Sequence, residues 1–185
     1  MNRTLTALVA ASLALPALAQ QDAPTRGPST AAERRRAVEI TRRLEKDPRT
    51  ARGDADRKWL IQWIVEIPDI QVRTCDSPLD ALRDDASDRH GRSLFLQHVF
   101  GVTVFLIDNP KRSGDWVAQQ AAGLESVLRA YRALRQKEPG LHWRALDRYE
   151  QAKKEGKLAD AIRTTMPGCD PASDDDMGDV PTEAI

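Results

Sequence analysis

The 185-residue sequence has little of what usually marks an enzyme site, a redox centre or a nucleic-acid-binding protein: two cysteines, three histidines, 5% aromatic residues and no net charge. Because 28 basic side chains balance 28 acidic ones, bulk positive charge cannot hold a nucleic acid. Its 11 prolines and 10 glycines form no fibrous repeat. With 41% hydrophobic residues, the chain has the composition of one globular domain with a buried core.

Catalytic and metal-binding motifs are also scarce. The sequence has no Gly-x-Ser-x-Gly turn, phosphate-binding glycine loop or haem-attachment motif. His90, His98 and His142 are not three or four residues apart, the usual spacing of zinc ligands on a helix. The acidic run at residues 84–88 has a spacing that suits a hard cation, but a solvated loop or helix end is the simpler interpretation. We therefore predict no catalytic residue, metal or cofactor.

The first nineteen residues have the three-part pattern of a secretory signal peptide. Arg3 is followed by an apolar run over 5–15, then by Pro16 and the small-residue site Ala17-Leu18-Ala19, which predicts cleavage after Ala19. The apolar run is roughly eleven residues long, whereas a membrane-spanning helix needs about twenty. No cysteine follows the cleavage site, so a lipoprotein is not expected. We predict a mature protein in a bacterial periplasm or outside the cell.

Export changes the interpretation of the two cysteines. Cys75 and Cys169 would lie where thiols oxidise, and one pair gives one disulfide. A catalytic thiol is the alternative, but it needs a histidine partner in an activating environment, and neither cysteine sits in such a motif. We therefore predict a Cys75–Cys169 disulfide that closes a loop of 94 residues.

Charge is unevenly distributed along the chain. Residues 170–185 contain six acidic side chains and no basic one, which predicts a disordered acidic tail. Residues 20–30 are rich in proline, glycine and polar side chains, and we expect them to be flexible. The ordered domain is then 31–169. From 20 to 169 the chain carries 27 basic and 22 acidic residues, a mildly basic body.

Within this domain the apolar residues repeat with helical spacing. Helices are predicted at 31–46, 56–67, 78–85, 94–107, 115–136, 143–155 and 158–165. Segment 94–107 contains strand-favouring residues, but its uninterrupted apolar length favours a buried helix. The expected fold is all-α, a single disulfide-linked bundle of five to seven helices.

Three details of the helices are also predicted. On the first helix, Val38, Thr41 and Leu44 form the apolar stripe, and a loop containing Pro48 and Gly53 follows. The second helix is apolar nearly all round, which is typical of a helix in the middle of a bundle. Asp115 is the expected N-cap of the helix at 115–136.

Five arginines crowd the first helix: Arg34, Arg35, Arg36, Arg42 and Arg43. A solvated helix face, shared with the chain's own acidic tail in one version, is the simpler interpretation, and an anionic partner is the alternative. Glu66 and Asp69 are the nearest approach to an acid/base pair. For a ligand pocket between helices, the candidate residues are Arg57, Asp69 and His98.

The segments 57–60, 66–69 and 120–125, together with Cys75, Asn109-Pro110 and Tyr131, form a recognisable pattern. It resembles an uncharacterised family of exported bacterial helical proteins with a Trp-x-x-x-Trp…Glu-Ile-Pro-Asp motif and a second cysteine at the end of the domain. The resemblance covers about 47–169. It implies the helical fold and the disulfide between Cys75 and Cys169, and it implies no activity.

The expected architecture is also similar to that of the small periplasmic immunity proteins of type VI secretion amidase systems, although their Cys-Gly-Tyr motif is missing here. Together these patterns favour a non-enzymatic periplasmic or secreted interaction protein with an unknown protein partner, in one version an inhibitor of an envelope-acting protein. The alternatives are a small-ligand-binding protein or hydrolase with a pocket between helices, and a structural envelope component.

Overall fold

The computed structural model describes residues 26–73, 79 and 90–169, and this part of the chain is helical without a strand. The six α-helices in these ranges are α1 (Ala31–Lys46), α2 (Gly53–Glu66), α3 (Gly91–Asp108), α4 (Trp116–Lys137), α5 (Arg144–Lys154) and α6 (Leu158–Thr165). Short 3₁₀ turns lie at Pro110–Arg112 and Pro167–Cys169. The all-α prediction is confirmed, while the helix predicted at 78–85 falls outside the described residues.

Helices α3 and α4 form a closely packed hairpin at the centre of the bundle. A Cβ atom added at Gly101 would lie 2.5 Å from Ser126 Cβ and 2.9 Å from the Cα of Gly123. The two glycines therefore let the helix backbones approach more closely than side chains would allow. Helix α3 buries residues on every side, Phe100, Val102 and Leu106 among them, so the predicted buried helix at 94–107 is confirmed.

The hairpin separates two apolar clusters. One cluster lies between α1, α2 and α3 and contains Leu44, Leu60, Trp63 and Phe100. The other lies between α4, α5 and α6 and contains Tyr131 together with leucines of all three helices. Burial of both clusters is the main driving force that holds the helices together.

Side-chain caps fix where α1 and α4 begin. Thr30 and Glu33 form a capping box, in which the Thr30 hydroxyl accepts from the Glu33 N–H and the Glu33 carboxylate accepts from the Thr30 N–H at 2.8 Å. The Asp115 carboxylate accepts a hydrogen bond from the Ala118 N–H at 3.0 Å, so the predicted N-cap of α4 is confirmed. The capping box was not predicted.

The prediction that the second helix lies in the middle of the bundle is wrong. Ile61 is 38% exposed and Val65 is 79% exposed, because within the described ranges α2 packs mainly on α1 and α3 and its outer face meets solvent. The central position belongs to α3. Gly53, expected in the preceding loop, is the first residue of α2, and the Arg57 guanidinium lies 3.0 Å from where a Cβ on Gly53 would be.

The apolar stripe of α1 is displaced from its predicted position. The buried residues are Ala37, Ile40, Thr41, Leu44 and Glu45, and Val38 is only half-buried. Thr41 and Leu44 were predicted, whereas the burial of a glutamate was not. The local pattern could not reveal it because the partners of Glu45 lie on a distant helix.

Candidate functional sites

The structure does not bring the three predicted pocket residues together. Arg57 is a structural residue at the start of α2: its guanidinium donates hydrogen bonds to the Pro48 carbonyl and, at 3.1 Å, to Asp54. Burial lowers the pKa of Arg57 from its ordinary value, and the Asp54 carboxylate opposes that shift. Arg57 thus ties the α1–α2 turn to the helix that follows it.

Asp69 is bound by residues that precede α1. Its two carboxylate oxygens accept hydrogen bonds from the N–H and the hydroxyl of Ser29, both at 2.7 Å, and Arg34 lies 3.7 Å away. Partial burial raises the pKa of Asp69, but the Ser29 hydrogen bonds outweigh it and the net shift is downward. Glu66 is separately paired with Arg26 at 3.0 Å, so each of the two carboxylates has its own partners.

These contacts also hold residues 26–30 against the end of α2. Ser29 is only 6% exposed, and Arg34 donates to its carbonyl oxygen at 2.6 Å. The flexibility expected for 20–30 therefore stays a prediction for the residues that precede Arg26.

His98 is half-buried at the α3–α4 crossing. The ring packs against Gly123, where an added Cβ would lie 2.6 Å from His98 Cδ2. His90 pairs with Glu138 at 3.2 Å, and His142 lies 3.6 Å from Asp147. Within the described ranges the structure contains no group of three potential ligands that could hold a metal ion.

Of the two cysteines, only Cys169 lies within the described residues. Cys169 is buried among α4–α6 residues at 1% exposure, and no cysteine in the described ranges is free. Cys75, the signal segment 1–19, the acidic run 84–88 and the tail 170–185 lie outside the described residues.

The arginines of α1 are largely engaged within the protein. Arg43 binds Asp56 on α2 at 2.8 Å, Arg42 binds Glu45 at 2.9 Å, and the guanidinium of Arg36 stacks on the Trp59 ring at 4.1 Å. Arg35, Arg36 and Arg42 are exposed all the same, so the predicted solvated helix face is present, with several of its guanidinium groups paired within the protein.

A buried polar network that sequence analysis missed links α1, α3 and α4. The Glu45 carboxylate accepts from Ser126 at 2.6 Å and from Arg129 at 2.8 and 2.9 Å. The Gln97 amide then donates to the Ser126 hydroxyl at 2.8 Å. Glu45, Gln97 and Ser126 are each at most 5% exposed. This network fixes the packing of α1 on the hairpin, and its Glu45–Arg129 end borders a surface cavity of about 420 Å³.

Glu45→Gln will lower the free energy of unfolding at neutral pH by about 1–3 kcal/mol, because hydrogen bonds to an ionised group are lost. Burial raises the pKa of Glu45, but bonds from Arg129 and Ser126 prevail and the net shift is downward. The stabilisation is therefore complete above the ordinary value of 4.5 and is lost as pH falls through the lower folded-state pKa.

Urea unfolding of both proteins between neutral pH and pH 3 measures this. The difference between them should shrink toward acid pH. Glu39→Gln, an exposed change on the same helix, is the matched control and should leave the pH profile unchanged. A difference that stays constant with pH would contradict the assignment.

Of the solvent-accessible cavities found in the described ranges, two are lined by a predicted pocket residue. The first, termed the α2 groove, is about 450 Å³ and lies between α2 and the start of α3. It is lined by Asp54, Arg57, Lys58, Ile61, Gln62, Arg92, Ser93 and Leu96. Lys58 and Arg92 are exposed and have no ion-pair partner among the described residues.

The second cavity, termed the Gln120 cleft, is about 680 Å³. The non-helical segment 68–73 forms one wall, and the end of α3 and the start of α4 form the other, with Cys169 also lining it. Asp69 belongs to this cleft, whereas Arg57 belongs to the α2 groove and His98 lines neither.

Comparison with known proteins gives no relative: no family model, curated protein or solved structure is significantly similar to this chain. None of the helices in the described ranges combines the length and apolarity that a membrane span requires.

Proposed function

We propose that this chain is a non-enzymatic interaction protein that binds an acidic, amphipathic helix of a protein partner in the α2 groove. The observation that carries the proposal is the pair of exposed apolar side chains on α2, Ile61 in the groove and Val65 one turn further along the helix, near two cations that have no ion-pair partner among the described residues. Ile61 and Val65 lie one helical turn apart, so they form one apolar stripe. Large apolar side chains exposed together next to a groove are typical of a docking surface.

The chemistry of the groove decides what kind of partner fits. Leu96 on α3 adds to the apolar floor, and Lys58 and Arg92 stand on opposite helices at its edges. Asp54, the one carboxylate among the described residues that line the groove, is already paired with Arg57 at 3.1 Å. A partner helix with apolar residues on one face and carboxylates flanking them would match both features.

The setting of this function is also proposed. We infer export with cleavage after Ala19, location in a periplasm or outside the cell without a lipid anchor, and a Cys75–Cys169 disulfide that links the body of the bundle. Burial of Cys169 at 1% exposure supports the disulfide. In one version of the proposal the partner is an envelope-acting protein that this chain inhibits. Membership of the exported helical family also stays a prediction.

The alternative of a hydrolase is less well supported. Asp69 is the only one of the three predicted pocket residues in the larger cavity, and both its oxygens accept hydrogen bonds from Ser29. Its lowered pKa makes the carboxylate a weak base, far from the near-neutral pKa that general acid/base catalysis favours.

Selection from a displayed random-peptide library tests the proposed function. The wild-type protein should enrich peptides with Asp or Glu and with large apolar residues at helical spacing. Val65→Asp should weaken their binding by about tenfold or more, since it places a carboxylate in the apolar stripe. Val65→Leu should keep it.

A double variant, Lys58→Glu with Arg92→Glu, should reverse the selected charge toward Lys and Arg. Lys154→Glu, an exposed charge reversal on α5, is the control and should select the same peptides as the wild type. If Val65→Asp and the double variant bind the acidic peptides as the wild type does, the α2 groove is not the binding surface.

A further inference from the structure

We propose that the Gln120 cleft is a second binding site, which takes a peptide segment in extended conformation and recognises it by a main-chain N–H donated to Gln120. This inference does not depend on the α2 groove. It rests on a buried amide oxygen that no described residue satisfies, on a stretch of main chain without backbone hydrogen bonds in the described ranges, and on the apolar walls of the cleft.

The first observation is the state of the Gln120 side chain. It lines the cleft and is only 2% exposed, yet its Oε1 atom has no hydrogen-bond partner among the described residues. A buried carbonyl oxygen without a donor destabilises a fold, and such groups are rare. The neighbouring Gln119 contrasts with it, because its amide donates to the Ser113 carbonyl at 2.6 Å. The Oε1 atom of Gln120 is covered in this structure, so Gln120 offers an acceptor that a ligand N–H can satisfy once the side chain turns toward the cavity.

The second observation concerns the opposite wall. Ile70, Gln71 and Val72 belong to no helix or strand, and their main-chain groups make no backbone hydrogen bond within the described part of the chain. Ile70 is nevertheless only 8% exposed. A non-helical segment with unpaired N–H and C=O groups can pair with another extended chain, as in recognition by strand addition.

The third observation is the size and composition of the cavity. About 680 Å³ is within the range of sites for small ligands, about 300–1,000 Å³, and is enough for a few residues of an extended peptide. Leu106, Trp116 and Pro110 supply apolar wall area for one or two side chains. The Asp69 carboxylate is already bound to Ser29, so it imposes no requirement for a cationic ligand.

An array of short capped peptides of Val, Thr, Tyr and Ser, which disfavour helix, tests the proposal with the full-length protein. Gln120→Leu should weaken binding of the selected peptides by about tenfold or more. Its melting temperature should equal or exceed that of the wild type, because an unsatisfied buried acceptor is replaced by an apolar group of similar volume. Lost affinity at undiminished stability distinguishes a binding role from a structural one.

N-methylation of the peptides gives an independent readout. Methylating alternate main-chain nitrogens should abolish binding in one register and spare it in the other, as strand pairing requires. Bound peptide should also slow hydrogen exchange at the amides of Gln71 and Val72. Val65→Asp should leave all of this unchanged, which separates this site from the α2 groove.

Four outcomes would overturn the proposal. The first three are the absence of any binding peptide, unchanged peptide affinity in Gln120→Leu, and loss of peptide binding in Val65→Asp. The fourth is peptide binding that is seen only after residues 171–185 have been removed. The last would mean that the cleft is occupied by the chain's own residues 171–185.

Discussion

Gly101→Val will lower the free energy of unfolding by about 3 kcal/mol or more. An added Cβ would lie 2.5 Å from Ser126 Cβ and 3.0 Å from the main-chain oxygen of Ala122. A main-chain oxygen cannot move aside as the end of a flexible side chain can, so the α3–α4 hairpin would have to open. Both apolar clusters pack on this hairpin, and the opening would therefore disturb each of them.

Gly101→Ala provides the sharper test of the same contact. Alanine stabilises a helix interior by about 1 kcal/mol relative to glycine, so the intrinsic preference favours the substitution. We expect destabilisation instead, measured by urea unfolding, because the methyl group has no space. Gly140→Ala is the control, since no atom lies within 4 Å of its added Cβ, and it should change stability little. A stabilised Gly101→Ala protein would show that the hairpin is not closely packed at this position.

Cys169→Ser will lower the free energy of unfolding by about 4 kcal/mol if Cys169 is joined to Cys75. The bond would close 94 residues of chain, and the restriction that such a loop places on the unfolded chain corresponds to roughly 4–5 kcal/mol. Cys75→Ser should have a similar effect, and the double variant should add little to either. Reducing the wild-type protein should reproduce the loss.

The same prediction can be checked without unfolding the protein. The intact mass of the exported chain should correspond to residues 20–185 with two hydrogen atoms fewer than the reduced form. An uncleaved leader would contradict the proposed export, and two titratable thiols in exported material would contradict the disulfide. Loss of stability on reduction with no change in mass would point to an effect other than a broken bond.

Most of the helical framework could be predicted from the sequence, because its determinants are local. The apolar length of segment 94–107 identified the buried α3, and Asp115 identified the start of α4. Proline and glycine after a periodic run marked helix ends, as at Pro139-Gly140 beyond α4. Each of these signals lies within a few residues of the feature that it determines.

What could not be predicted depends on partners far away in the chain. Glu45 binds Ser126 and Arg129, which lie 81 and 84 residues further on. The sequence of α1 alone, a glutamate among arginines, therefore gave no sign that Glu45 is buried. The exposure of Val65 depends on which helices pack against α2, and the apolar pattern of α2 itself does not reveal this. The sequence pattern places Gln120 on an amphipathic helix and nothing more. The cavity beside it is what indicates a binding role for its amide.

The central place of the α3–α4 hairpin has a consequence for biosynthesis. A ribosome or a translocation pore releases the chain from its N-terminus, so α1 and α2 emerge before the hairpin against which they pack. Trp63 and Leu60 on α2 can pack on α1 at once, but the α3 side of their apolar cluster is missing until Asp108 has followed. During that interval the nascent chain exposes the apolar surface that α3 later covers, and this is the surface that a chaperone would bind.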